Sequence, residues 1–392
     1  MRDVFVRGVA MSAFARATDR PIDDVARDVA RDALVDAGIP ARRVDAVFCG
    51  HVFGGRVAAQ RITRDLGLDA RLAVNVENAC ASGATALHLA VAQIRAGTSD
   101  VALALGFERL SAFGRGVVPP DRNDLEGLLG RTNPATYALM TKRHMAEYGT
   151  TLTQLAAVSV MARRNGAANP RAQFRTAVTA EEVLSASLVA DPLTRLMCCP
   201  TGDGAAAVVV AAEPGPDAIR VRASVVRGGH RRAPDDRLVN HPVTETAARA
   251  AYAEAGLGPE DVDLAEVHDA FAIAETVHLE DLGLARRGEA AAFIASGATA
   301  VGGVLPINPS GGLLAKGHPY GATGLAQVFE LADQLRGSAG ARQVARARVA
   351  LAQCEGGIVY GLDAGVCAIH ILERASGPDA PRRSSTVAAA RA

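Results

Sequence analysis

The chain has 392 residues, 42 Lys+Arg balanced by 42 Asp+Glu, 49% hydrophobic residues and 39 glycines. Zero formal net charge excludes the electrostatic footprint of a nucleic-acid binder or of a protein held on an anionic membrane. The composition fits a globular chain of two or three domains, not a disordered one.

The opening stretch MRDVFVRGVAMSAFARATDR lacks the long apolar core of a secretory signal, and no uncharged apolar run reaches the ~18 residues of a membrane span. A soluble, cytoplasmic protein with neither nucleic-acid nor membrane partner is therefore expected. RDALVDAGIPARRVD (31–45) reads as an amphipathic helix ended by Gly38, then a strand entered through Val44-Asp45. It recurs 218 residues later as RAAYAEAGLGPEDVD (249–263). CASGATAL (80–87) recurs at a shift of 238 as HPYGATGL (318–325), and VALALG (101–106) at 248 as VALAQC (349–354). GAAAVVVAAE (204–213) pairs more weakly with GVCAIHILE (365–373).

Four matches in one order indicate a doubled chain with halves at 1–215 and 216–375. Continuous apolar strands such as VALALGF predict a layered α/β fold with sheets covered on both faces. Residues 111–199 have no counterpart in the second half and read as an inserted lid or binding subdomain. A smaller extra piece falls at 283–305, and residues 376–392 read as a disordered tail.

The doubling superposes Cys80 on His318, each directly before an apolar helical run. Paired halves can bring such helix tips to one site, where unpaired N–H groups and the helix dipole favour a thiolate. A thiol pKa near or below neutrality is expected for Cys80. Cys354 ends the strand whose equivalent ends at Gly106. Two cysteines and a histidine at one place suggest acyl transfer through a covalent thioester, with a second acid/base. Taken singly, Cys80 reads as a core thiol and His318 equally as a turn residue or a catalyst; the combination carries the inference. The glycine-rich loop lacks the G-K-[ST] ending of a phosphate loop.

Four blocks make the chain resemble the thiolase superfamily over essentially its whole length: NACASGATALHLA (78–90), EVHDAFAIAE (266–275), NPSGGLLAKGHPYGATGLAQ (308–327) and QCEGGIVYG (353–361). H-D-A-F in place of N-E-A-F is similar to the sterol-carrier-type and archaeal-type branch. The resemblance implies duplicated halves in an α-β-α-β-α layering and a β-ketoacyl-CoA-forming or -cleaving acyltransferase. It implies Cys80 as nucleophile, Cys354 as acid/base, and His318 with a water at His268 as one oxyanion hole. The backbone N–H groups of Cys80 and Gly356 would form the second. It further implies substrate contacts at Tyr320, Gly317, Ser310 and Gly311, with Tyr320 narrowing the pocket. No resident cofactor is implied, since coenzyme A is substrate and product. A homodimer or homotetramer is implied, and some relatives use a small OB-fold zinc-ribbon partner.

Glu355 stands where an apolar residue is usual, and a carboxylate there would oppose a thiolate at Cys354. Cys49, Cys367, His88 and His370 read as core, and Cys198 and Cys199 as structural. With no C-x-x-C pair, and with no ligand cluster seen around His144, His230, His241 or His278, no metal site is expected. Arg163, Arg164 and Arg171 read as a solvated face or a contact for CoA phosphates. Competing readings are another C–C bond reaction on the same scaffold, such as retro-aldol cleavage or C-acylation, and a non-catalytic subunit.

Overall fold

The structure is a computed structural model describing residues 2–375, apart from 69, 115–117, 119, 121–122, 233–237 and 360. The tail expected at 376–392 lies outside the described residues. The first half runs β1 (Phe5–Met11), α1 (Ile22–Ala37), β2 (Ala46–Gly50), α2 (Ala58–Thr63), β3 (Leu72–Val76), α3 (Ser82–Arg95) and β4 (Val101–Arg109). The insertion carries α4 (Leu125–Leu128), α5 (Asn133–Tyr148), α6 (Leu152–Ala167), α7 (Ala180–Ser185), β5 (Leu188–Ala190) and β6 (Leu193–Thr194); β7 (Asp203–Ala211) then closes the half. The second half follows as β8 (Ile219–Gly228), α8 (Pro242–Ala255), β9 (Leu264–Glu266), α9 (Ala272–Asp281), α10 (Ala290–Ala295), α11 (Gly312–Lys316), α12 (Tyr320–Arg336), β10 (Val349–Gly356) and β11 (Val366–Arg374).

The repeat read from the sequence is a structural one. Helices α1 and α8 end alike, at Gly38 and Gly256 in the left-handed conformation (φ 62° and 65°) that glycine adopts without penalty. The strands run β3-β2-β4-β7-β1-β8-β11-β10-β9. The second half therefore repeats the order of the first about a two-fold axis at the β1/β8 seam. That seam is only two pairs long, Phe5 with Arg220 and Val6 with Ile219. The partner of β3 shrinks to a single bridge between Ala265 and Ile307.

Strand alternation sorts the core into layers. On β4, Ala102 and Ala104 face α3 and α12, while Leu103 and Leu105 face α1 and α2. On β10, Ala350 and Ala352 face the same inner helix pair, and Val349 and Leu351 face α8 and α9. Helices α3 and α12 thus lie between the two sheet halves, which gives the expected α-β-α-β-α layering. The insertion is less of a separate lid than the sequence implied. Tyr137, Met140, Leu155, Val158 and Met197 join the apolar core of the second half. Among the described residues no helix is long and apolar enough to cross a membrane.

The two inner helices meet through equivalent glycines. A Cβ on Gly83 would stand 2.3 Å from the Gly321 carbonyl oxygen, and one on Gly321 would stand 2.5 Å from the oxygens of Gly50 and Phe107. Both obstacles are backbone, so neither yields cheaply. Gly321→Ala is expected to destabilise by about 1–3 kcal/mol through overpacking. Thermal denaturation checks this, and an unchanged midpoint would contradict it.

Candidate active site

Cys80 stands on a sharp turn between β3 and α3. Ala79 before it is held at φ 48°, a conformation that costs about 1 kcal/mol or more outside glycine. Local bonds enforce the turn: Ala79 N–H donates to Glu77 Oε1 (2.7 Å), Asn78 N–H to Ser82 Oγ (2.9 Å), and Ser82 Oγ–H to the Ala79 carbonyl (2.6 Å). Gly356, at the end of β10, passes directly beside it, since a Cβ there would sit 2.2 Å from Asn78 O and 2.8 Å from Ala81 N. The two backbone stretches expected to supply oxyanion donors are therefore neighbours.

His318 is set by a buried scaffold linking two motifs. Asp269 accepts from Leu313 N–H (2.6 Å) and Leu314 N–H (3.3 Å) at the start of α11. Glu266 takes the Ser310 hydroxyl (2.6 Å) and pairs with Lys316 (3.3 Å). These contacts fix E-V-H-D against S-G-G-L-L-A-K-G-H. His268 and His318 consequently meet edge to face, ring centroids 5.0 Å apart. Gln353 Oε1 accepts from His268 N–H (2.9 Å), tying this loop to β10.

The structure brings together all four expected reactive side chains. His318 Nε2 lies 3.2 Å from Cys80 Sγ, Cys354 Sγ–H donates to the Cys80 carbonyl (3.3 Å), and His268 Nδ1 lies 3.5 Å from Cys354 Sγ. The Thr323 hydroxyl donates to Pro319 O (3.0 Å), so its oxygen accepts from His318 Nδ1–H (2.8 Å). The imidazole then presents an unprotonated Nε2 to the thiol. Burial, followed by the neighbouring His268, keeps His318 well below its ordinary pKa and hence neutral. Burial and then His241 push His268 down to about 3.

Several expectations are corrected. Cys80 is not a resting thiolate: burial, then the charges of Glu108 and Glu355, push it up to about 12. Ser310 and Gly311, expected at the substrate, are buried within the scaffold. The Ser310 hydroxyl is spent on Glu266, and Gly311 packs against Gly166 on α6. Gly317 (φ 108°) packs against Gln173 and Phe14. Tyr320 does reach the site, half-buried with its ring 4.9 Å from His318. Glu355 points to the opposite face of β10 from Cys354, where His241 Nδ1 lies 2.5 Å away.

Of the four histidines judged to lack clustered partners, His241 and His278 group with Glu355, and His144 Nε2 lies 3.3 Å from Glu280, alone among the carboxylates of the described residues. Arg163 stacks over Phe174 and Arg171 over Phe329, so both are committed to packing. Cys49 and Cys367 are buried in strands as expected, and His88 and His370 bridge α3 to the second sheet half through Ser224 and Ala84.

Sequence reasoning missed Glu108 and Thr323. Glu108, next to last on β4, accepts from Val52 N–H (2.9 Å) and Phe53 N–H (3.0 Å), and is pushed by burial to about 7. An acid closing the apolar run VALALGF was the available signal. For Thr323 the signal was the repeated Gly-Ala-Thr, whose other threonine, Thr85, binds Asn78 beneath the Cys80 turn (3.0 Å).

Comparison with known proteins agrees with this architecture. The family description "Thiolase, N-terminal domain" matches residues 4–214, and "Thiolase C-terminal domain-like" matches residues 230–367. An acetyl-CoA acetyltransferase of Methanothermobacter thermautotrophicus is 39% identical over 95% of this chain and 100% of its own length. Sterol carrier protein 2 of Gallus gallus is 39% identical over 89% of this chain and 69% of its own, and the benzoylsuccinyl-CoA thiolase subunit BbsB of Thauera aromatica is 37% identical over 91% and 95%. Among solved structures, an Ltp2-ChsH2(DUF35) aldolase superposes with a TM-score of 0.81 at 23% identity, covering 95% of this chain and 98% of that one. Human mitochondrial 3-ketoacyl-CoA thiolase does so with 0.71 at 19%, covering 96% and 99%. The family matches span both halves and these relatives cover 89–95% of this chain, and the chain belongs to the thiolase family of enzymes.

Proposed function

We propose that the chain transfers acyl groups between CoA thioesters through an acyl-enzyme on Cys80, forming or thiolytically cleaving a β-ketoacyl-CoA. The observation that carries this reading is the convergence of Cys80, His318, Cys354 and His268 from both halves within hydrogen-bonding reach. His318 Nε2 takes the Cys80 proton as the sulfur attacks the thioester carbon. The resulting Nε2–H becomes a donor toward the oxygen on which charge develops. Cys354 gives its proton to the departing CoA thiolate and, now a thiolate itself, removes the α-proton of a second acyl-CoA. The carbanion attacks the acyl-enzyme, and Cys80 leaves and recovers its proton from His318. Each proton is returned, and the side chains present suffice without a resident cofactor.

The exposed edge of β3, at one end of the sheet, supports pairing of two copies as a homodimer.

Incubation with acetyl-CoA is expected to add one acetyl mass to the intact protein, and acetoacetyl-CoA with free CoA is expected to be thiolysed. Absence of both would overturn the proposal. Acylation without thiolysis would point instead to another C–C bond reaction on this scaffold.

A further inference from the structure

Behind the reactive sulfurs lies a second buried polar cluster that the proposed chemistry leaves unused. One ring nitrogen each of His241 and His278 and a carboxylate oxygen of Glu355 fall within 4.8 Å of one another. Glu355 follows Cys354 on β10, so strand alternation sends it toward α8 and α9 while the thiol faces inward. His241 is the residue before α8. Its N–H donates to Asp281 Oδ2 (2.8 Å), its Nδ1 lies 2.5 Å from Glu355 Oε2, and Thr244 Oγ1 stands 3.4 Å from the same oxygen.

The other charges facing this pair are already matched. Asp281 and Glu280 on α9 are held by Arg287 at 2.6 and 3.6 Å. Asp363, before β11, spends its oxygens on the N–H groups of His230, Val243 and Ala364. Arg232 faces His241 from the loop after β8 and works against its protonation. Burial pushes His278 down to about 3, so it is a neutral neighbour. Burial also opposes charge on His241, but the Glu355 carboxylate raises it above its ordinary value. Burial likewise opposes charge on Glu355, and His241 holds it below the usual carboxylate range. Among the described residues, His241 is the one basic side chain within ion-pair distance of Glu355.

We infer that His241 is a positioning residue, the protonated counter-ion of Glu355, and that it keeps this carboxylate from opposing thiolate formation at Cys354 and Cys80. The inference rests on the proposed function in so far as both sulfurs must react. Removing one member of a buried pair strands the other's charge, whereas removing both is mild. A stranded carboxylate beside a thiol that must ionise lowers the thiolate fraction tenfold for each unit its pKa rises.

The test is a double-mutant cycle of His241→Asn and Glu355→Gln, read as peptide-resolved iodoacetamide alkylation rates of Cys354 and Cys80 at fixed pH. His241→Asn is expected to slow alkylation about tenfold, Glu355→Gln alone to leave it no slower than wild type, and the double variant to recover to within about threefold. A structural role would give no recovery. The inference is overturned if His241→Asn leaves the rates unchanged, or if the double variant stays as slow as the single one. Should His241→Asn fail to fold, a slower Glu355→Gln overturns it and an equal or faster one supports it. Zinc retained at one equivalent by wild type after chelation, and lost with His241, would overturn it too, since the counter-charge would then be a metal. Alkylation needs no turnover, so an enzyme that fails to thiolyse would sink the proposed function and leave this test in force.

Discussion

Cys80→Ser is expected to abolish the acetyl adduct on the intact protein and to lower thiolysis by at least about 10⁴-fold, the scale on which removal of a covalent nucleophile acts. The wild-type thiol is already hard to ionise, because burial and Glu108 hold it up at about 12. A serine hydroxyl in the same buried place is harder still, and His318, kept neutral by its surroundings, is a weak base for it. Mass spectrometry after acetyl-CoA incubation gives the direct reading. An adduct that persists would move the nucleophile elsewhere, with Cys354 the first residue to map.

Cys354→Ala should separate the two halves of the reaction. Its sulfur only donates to the Cys80 carbonyl and approaches His268, so the nucleophile and its base remain in place. The acyl-enzyme is expected to form, since a thiolate can depart unaided. Steady-state thiolysis is expected to fall by about 10²–10⁴, the usual worth of a positioned acid/base. An intact-mass time course beside a thiolysis assay checks this. Loss of the adduct itself would make Cys354 part of the first step, and unchanged thiolysis would remove it from the mechanism.

The meeting of Cys80 and His318 was legible because duplication leaves a trace in sequence: Gly-Ala-Thr begins three residues after each of them and marks equivalent helix tips. The layered fold followed from the same matches and from the uniformly apolar strands. Three things were not legible, each for a physical reason. The Cys80 thiol was expected to ionise from helix position alone, but burial outweighs that field. Ser310 and Gly311 sit in the most recognisable motif, yet partners more than forty residues away in sequence, or across the insertion, hold them in the interior. Glu355 reads as a threat to Cys354 when the two are neighbouring letters, whereas the pleat puts them on opposite faces and a histidine 114 residues distant meets the acid.

The layering also divides the labour of change. Every reactive atom is delivered by the tips of the central helices or by chain ends abutting them, inside a region where even a methyl group on Gly83 or Gly321 has no room. The insertion instead rests on the far flank of the second half and touches the reaction centre at its margins, through Tyr137 stacked on Phe271 (4.4 Å) and Cys199 bonded to Ala270 (2.9 Å). Such a plan separates two tolerances: the outer segment meets the centre only at its margins, and the innermost pair cannot absorb a single added carbon.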